Sequence, residues 1–211
     1  MPEIAGRFVL FALIHSLLAT NTVKGWVCRH RSITRIYRLT YNLLALGSFA
    51  WVLATLPDSP VLYTISGIPA VILRGFQACA LLMLCRCAAQ TGLGDFIGIN
   101  QLMTGQENAP QFTRSGCYRV VRHPQYTLAV LFLLATPGMS ANFALFTLLS
   151  VLYFAIGGYI EEDRLRNTFG VEYCRYQTEV PMFIPRWTGL RPHSQTTDQN
   201  SQQSADKSDI I

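Results

Sequence analysis

The chain has 211 residues, half of them apolar and only 14% charged, with a net charge of +5 and a mean hydropathy of +0.26. Soluble domains usually carry about 25% charged residues, so this deficit points to an integral membrane protein. The apolar content excludes disorder over most of the chain, and six cysteines are too sparse for a secreted disulfide scaffold.

A bilayer core about 30 Å thick takes roughly 20 apolar residues as helix, and five stretches meet or approach that length. The first runs from about Ala5 to Thr20 and the second from about Leu39 to Leu56. The third runs from about Ile68 to Ala89, with Arg74 near one end. The fourth opens at Pro124 and meets Pro137-Gly138, and the fifth runs from about Ala141 to Ile160. Lipid leaves unpaired backbone groups no partner outside helices and closed barrels, and the runs lack the alternation of barrel strands. The expected fold is therefore all-α and polytopic, with about five transmembrane helices. Pro124 to Thr136 gives only about 20 Å of helix, which predicts a short C-terminal helical hairpin turning at Pro137-Gly138.

Basic residues set the expected orientation. Lys24, Arg29, Arg31, Arg35 and Arg38 follow the first span; Arg114, Arg119 and Arg122 precede the fourth; Arg164, Arg166, Arg175, Arg186 and Arg191 follow the fifth. The stretches 57–67 and 137–142 carry none. Five spans then put the N-terminus outside and the C-terminus in the cytoplasm. The first apolar run lacks a small-x-small cleavage site and reads as a retained helix. Residues 1–193 form one expected membrane domain, and 194–211, rich in Gln, Ser, Thr, Asp and Asn, an expected disordered tail. The positive charges lie beside spans, so anionic lipid headgroups are the expected partner rather than nucleic acid.

No C-x-x-C pair exists, and the four histidines do not pair with cysteine at ligand spacing, so no metal site is expected. Cys85-Arg86-Cys87 reads as a buried thiol beside an interfacial anchor. His15, within the first span, is either functional or bonded across helices, and Tyr41 and Asn42 read as interhelical polar contacts. The glycines of Thr91 to Arg114 predict a mobile loop able to act as a lid.

Polar residues concentrate at Thr113 to Tyr126 and from Glu161 to Pro185. A hairpin brings these clusters together. Pro124 suits a first helical turn, which places Arg122 and His123 at a helix N-terminus, an anion-binding position. Glu161, Glu162 and Asp163 predict that the fifth helix continues to about Phe169, with Glu162–Arg166 paired at i, i+4 and Gly170 as C-cap. Cations beside carboxylates suit a zwitterionic ligand. Gly157-Gly158 would either admit a flat ring or serve helix packing.

Arg122-His123-Pro124-Gln125-Tyr126, preceded by Gly116-Cys117-Tyr118-Arg119, resembles the motif of membrane methyltransferases. So does the string Glu161, Glu162, Leu165, Phe169, Gly170, Tyr173, Tyr176, Val180, Pro181, Ile184 and Pro185. The families are isoprenylcysteine carboxyl methyltransferase and the phospholipid N-methyltransferases. The N-terminal segments His15 to Ala19 and Tyr37 to Asn42, with Asp95 to Gly98, are similar to a bacterial branch of methanethiol S-methyltransferases and proteins of nitric-oxide metabolism. The resemblance implies S-adenosylmethionine as cofactor, bound by Arg122, His123, Pro124, Tyr126, Glu161, Glu162 and Tyr173. Tyr126 and Glu162 are the expected catalytic residues, with the identity of a base left open between Tyr126, His123 and a glutamate. Leu128 stands where the related motif often has glycine, and a larger residue there would narrow the cofactor cleft or change the cosubstrate. The expected acceptor is a small thiol or a lipid-like molecule. Two alternatives are an NADPH-dependent membrane reductase of related fold and a non-catalytic subunit of a respiratory or nitrogen-oxide complex.

Overall fold

A computed structural model describes residues 2–29, 31–54, 56, 58–105 and 112–186. The expected polar tail and Arg191 lie outside the described residues. In chain order the helices are α1 (Pro2–Ala19), α2 (Asn21–Val27), α3 (Arg31–Ala54), α4 (Gly67–Gln90), α5 (Leu93–Ile97), α6 (Ile99–Thr104), α7 (Pro124–Leu134) and α8 (Ala141–Glu179). A 3-10 turn covers Gly116–Arg119.

Local chemistry accounts for several boundaries. Thr20 caps α2 by accepting from the Val23 N–H, and Ser140 caps α8 by accepting from the Phe143 N–H, both at 3.3 Å. Pro124 opens α7, where its missing N–H costs nothing. α3 starts eight residues before the expected Leu39, so Arg31, Arg35 and Arg38 ride on its first turns instead of a loop.

Among the described residues three helices, α1, α4 and α8, are long and apolar enough to cross a membrane, and the chain is an integral membrane protein. This is fewer than the expected five. α3 has 24 residues but a more polar sequence, and α7, at 11 residues, rises only about 16 Å. The core of buried side chains joins α1, α3 and α8 through Ile4, Phe8, Phe11, Val52 and Phe146. Arg74 is exposed on α4.

The all-α expectation needs one correction. β1 (Val61–Thr64) and β2 (Gly138–Ser140) pair antiparallel, with Val61 opposite Ser140 and Thr64 opposite Gly138. The turn expected at Pro137-Gly138 is therefore stitched to the connection between α3 and α4, and Tyr63 donates its hydroxyl to the Thr136 carbonyl at 3.0 Å. Val-Leu-Tyr-Thr has the composition of a strand, but four residues among long helices carry little weight.

The described part of the expected lid is docked. Asn42 donates to the Ile97 carbonyl at 2.9 Å, and the Gly98 backbone, at φ 100°, sits against Arg38 and Leu39 so closely that a Cβ would lie 2.8 Å from the Leu39 nitrogen. Only glycine meets both demands.

Candidate functional site

Residues 181–183 strap the start of α7. The Arg122 and His123 N–H groups donate to the Pro181 and Met182 carbonyls at 2.9 and 3.1 Å, and the Thr127 hydroxyl donates to the Phe183 carbonyl at 2.9 Å. This backbone pairing gives the Val180-Pro181 string a structural task, since prolines leave their carbonyls free to accept.

Glu162 is the hub beneath the strap. Its carboxylate accepts from Arg122 Nε at 2.8 Å and Arg122 Nη2 at 3.0 Å, a bidentate pair. It also accepts from Tyr173 at 2.9 Å and from Gln177, and lies 3.0 Å from His123 Nε2. Glu162 is 4% exposed. Arg122 Nη1 donates to the Gln177 and Val180 carbonyls at 3.0 and 2.6 Å, so it also caps the end of α8, where cations are favoured. The expected Glu162–Arg166 pair does not form. Glu162 turns inward to Arg122, and Arg166 pairs with Asp163 on the exposed side. Arg122 is likewise committed to Glu162 and to carbonyls, rather than held free for an anion.

Gly170 takes a positive φ of 58° with ψ −132°, and α8 resumes beyond it to Glu179. The expected end at Phe169 is thus a kink. It is the segment after the kink that carries Tyr173, Tyr176 and Gln177 back to the hub.

Glu161, the preceding residue, faces a different environment. Its side chain is 31% exposed; Oε2 accepts from the Tyr126 hydroxyl at 2.9 Å and lies 3.6 Å from His123 Nδ1. His123 thus sits between both glutamates. Its ring stacks on Tyr126 with centroids 5.4 Å apart, and Tyr126 stacks on Phe154 at 5.2 Å.

These groups border a cavity of about 940 Å³. Arg122, His123, Pro124, Tyr126, Glu161 and Tyr173 line it; Glu162 and Leu128 do not. The expected narrowing by Leu128 therefore has no counterpart. The same cavity is also lined by His15, Tyr41 and Tyr153 and by Asp95, Thr113 and Arg164. Burial, and secondarily the charge of Glu161, push the Tyr118 phenol up to about 12, so this lining group stays protonated at neutral pH.

The glycine pair divides its two expected roles. Gly157 lines the cavity and has open space where a Cβ would project. A Cβ on Gly158 would lie 2.7 Å from Phe183 Cζ, so Gly158 serves packing against the strap.

Sequence reasoning missed three contributors. Phe112 packs its ring against Phe169, Tyr173 and Tyr176, with Arg114 over it at 5.7 Å. Phe183 lies against His123 at 5.6 Å. Cys87 and Cys117 form a disulfide, which ties the end of α4 to the 3-10 turn before the Arg122 motif. Cys87 was expected as a thiol; Cys85 is exposed rather than buried. Only the even cysteine count hinted at a bond, and spacing cannot assign one.

Among the described residues no cluster of three or more His, Cys, Asp or Glu could hold a metal ion.

The family model of phospholipid methyltransferases matches residues 70–172. Methanethiol S-methyltransferase 2 of Bradyrhizobium diazoefficiens is 33% identical over 184 residues, covering 84% of this chain and 70% of the relative. Methanethiol S-methyltransferase 1 of the same organism is 30% identical over 83% of this chain and 64% of its own length. A methanethiol S-methyltransferase of Pseudomonas sp. is 40% identical over a shorter stretch, 36% of this chain and 30% of its own length. No solved structure matches the chain. Shared identity along most of the sequence, together with the matching family model, shows that the chain belongs to the membrane methyltransferase superfamily that includes the phospholipid methyltransferases.

Proposed function

We propose that this membrane methyltransferase uses S-adenosylmethionine as methyl donor and a small thiol as acceptor. The observation that carries the reading is the cavity of about 940 Å³ bordered by Tyr126, His123, Glu161 and Tyr118. Small-molecule sites usually enclose roughly 300–1,000 Å³, so the space suits a nucleoside cofactor with a small second substrate. The donor set fits as well. Glu161 is a partly exposed carboxylate that can accept from an amine or from ribose hydroxyls, and the Tyr118 face suits a sulfonium cation or a flat base. Gly157 leaves room for a close approach.

When bound, S-adenosylmethionine supplies a methyl group already activated by its sulfonium, so the protein contributes chiefly alignment. In this reading Glu161, Tyr126, His123 and Pro124 contact the cofactor. Arg122, Glu162 and Tyr173 act one step back, locking the rings and the strap in place. Glu162, read from sequence as catalytic, becomes a positioning residue because its oxygens are occupied inside the protein.

The thiol acceptor is supported by the relatives' names. Those names also favour methyl transfer over a reductase or a non-catalytic subunit. We place the protein in a bacterial inner membrane, with the N-terminus outside and the arginine-rich cavity mouth in the cytoplasm beside anionic lipid headgroups. Residues 1–193 act as the methyltransferase domain, with 194–211 a polar tail.

The test incubates the purified chain with methyl-labelled S-adenosylmethionine and a panel of small thiols, prenylcysteines and phospholipids, with products read by mass spectrometry. S-adenosylhomocysteine binding is measured in parallel by calorimetry, with His123→Ala as control. Labelled thioether and saturable binding are expected. No saturable binding at millimolar ligand would overturn the proposal.

A further inference from the structure

The cavity does not end at the Tyr126–Glu161 pair. At its inner end, His15 of α1 has Nε2 2.9 Å from the Tyr41 hydroxyl of α3, and Ser16 Oγ lies 3.0 Å from the Tyr153 hydroxyl of α8. All four residues line the same cavity as Glu161. Tyr153 precedes Glu161 by eight residues on one helix, about 12 Å of rise, and His15 lies one turn from the end of α1, so this second polar group is set apart from the first along the helices. An ionisable side chain there is costly unless it has work to do.

The floor beneath it is closed. Phe11 stacks on His15 at 5.7 Å and packs against Phe49 at 5.6 Å and Tyr153 at 6.3 Å. Phe8 and Phe146 follow, 4% and 0% exposed. The space therefore stops one ring beyond the imidazole, which leaves room for a compact molecule and none for an acyl or prenyl chain running along the bundle axis.

We propose that this inner end is the acceptor subsite, that it takes a thiol bearing only a small apolar group, and that His15, held by Tyr41, removes the thiol proton. The proposal rests on the methyl-transfer reading above and deepens it. A thiol is a poor nucleophile and its thiolate a good one. In the step, the S–H bond breaks and its proton passes to a His15 ring nitrogen. The sulfur electron pair forms the new S–CH3 bond, and the old C–S bond breaks with its electron pair staying on the former sulfonium sulfur. Two neutral thioethers result, and the proton leaves His15 through the cavity mouth to water. The titratable groups facing His15 are Tyr41 from α3 and Tyr153 from α8; Arg38, Tyr37 and Arg164 act on Tyr41 from the same two helices.

The test uses the full chain in detergent with methanethiol, dodecanethiol and a small selenol, the last already ionised at neutral pH. The variants are His15→Gln, which retains a polar partner for Tyr41, and His15→Ala. S-adenosylhomocysteine affinity, read by calorimetry, is expected to stay within about threefold of the unaltered protein in both. Methanethiol turnover at pH 7 is expected to fall about 10²-fold or more, the usual worth of a positioned base. The deficit should shrink as pH rises toward the thiol's own ionisation, and selenol turnover should change little. Phe11→Ala should open the floor and raise the dodecanethiol rate relative to methanethiol. Unchanged methanethiol turnover in the His15 variants, or a deficit independent of both pH and acceptor ionisation, overturns the base assignment. Turnover of dodecanethiol by the unaltered protein at the methanethiol rate overturns the small subsite. If the unaltered protein binds no S-adenosylhomocysteine, the methyl-transfer reading itself has failed, which is a separate result.

Discussion

Glu162 offers the sharpest test of how this site is held together, because sequence and geometry give it different tasks. It is buried, and the five groups around its carboxylate come from Arg122, His123, Tyr173 and Gln177, with Arg122 giving two bonds. Glu162→Gln preserves the volume but removes the charge and turns an amide NH2 toward donors. Arg122 is then a guanidinium with an 11% exposed side chain and no counter-charge. Breaking a buried ion pair by removing one partner costs about 3–5 kcal/mol. At about 2–4 °C per kcal/mol for a chain of this length, Tm should fall by roughly 6–20 °C. Replacing both partners with apolar residues, Arg122→Met with Glu162→Leu, removes the stranded charge and should recover much of the loss. Recovery stays incomplete because the Gln177 and Val180 carbonyls lose the donor that capped them. Thermal unfolding of Arg122→Met, Glu162→Leu and the double variant in detergent gives the coupling, expected at about 2–3 kcal/mol. The reasoning is refuted if Glu162→Gln melts like the unaltered protein while losing turnover, for then the carboxylate serves the chemistry and not the scaffold.

Tyr126→Phe removes the hydroxyl that Glu161 accepts from but keeps the ring between His123 and Phe154. Stability should change by less than about 1 kcal/mol, whereas S-adenosylhomocysteine affinity should weaken about 5–10-fold, the worth of one hydrogen bond; calorimetry showing an unchanged Kd would count against Glu161 as a ligand. The adjacent glycines should separate cleanly in a melting assay. Gly158→Ala drives a Cβ to 2.7 Å from Phe183 and should cost about 1–3 kcal/mol, while Gly157→Ala meets open space and should not shift Tm. Gly157→Leu should instead fill the cavity and reduce ligand affinity about tenfold or more with Tm preserved, and an equal Tm loss at both positions would contradict the division of roles.

The parts of the fold that could be read from sequence are those whose signal is local. Pro124 announced the start of α7, and the unbroken apolar runs of α1, α4 and α8 announced their helices, because one helix turn or one bilayer width is enough to impose the pattern. The proximity of the Arg122 motif to the Glu161 cluster was legible from the turn between α7 and α8. What the pairs do with one another was not. Glu162 and Arg166 have ideal i, i+4 spacing, yet Arg122, 40 residues away, wins. It offers a two-pronged bond in a buried setting, whereas an exposed helical pair gains only about 0.3–0.5 kcal/mol. The strap at 181–183 was also hidden, since backbone carbonyl bonding leaves no mark on side-chain identity beyond the prolines that interrupt the helix. Gly170 reads from sequence as the C-cap of the helix, but a helix can resume after such a residue when later side chains, here Tyr173 and Gln177, have a buried acceptor to reach.

Cys87 and Cys117 bring two physical rules into opposition. Arg114, Arg119 and Arg122 flank Cys117, and the positive-inside rule assigns that end of the bundle to the cytoplasm. The cytoplasm keeps thiols reduced, and structural disulfides there are rare. The bond closes a separation of 30 residues, which constrains the unfolded chain by about 3–4 kcal/mol on the loop-entropy account. Oxidised protein should then melt roughly 6–16 °C above reduced protein, and the Cys87→Ser, Cys117→Ser double variant should lose this redox dependence. If the proposed orientation is right, cells quenched in acid and alkylated after unfolding should carry both positions as free thiols, with the bond appearing only on purification in air. A bond already formed in the quenched cells would place the cavity mouth on the oxidising side. The arginine count would then be the misleading guide, and the methyl acceptor would have to arrive from outside the cytoplasm.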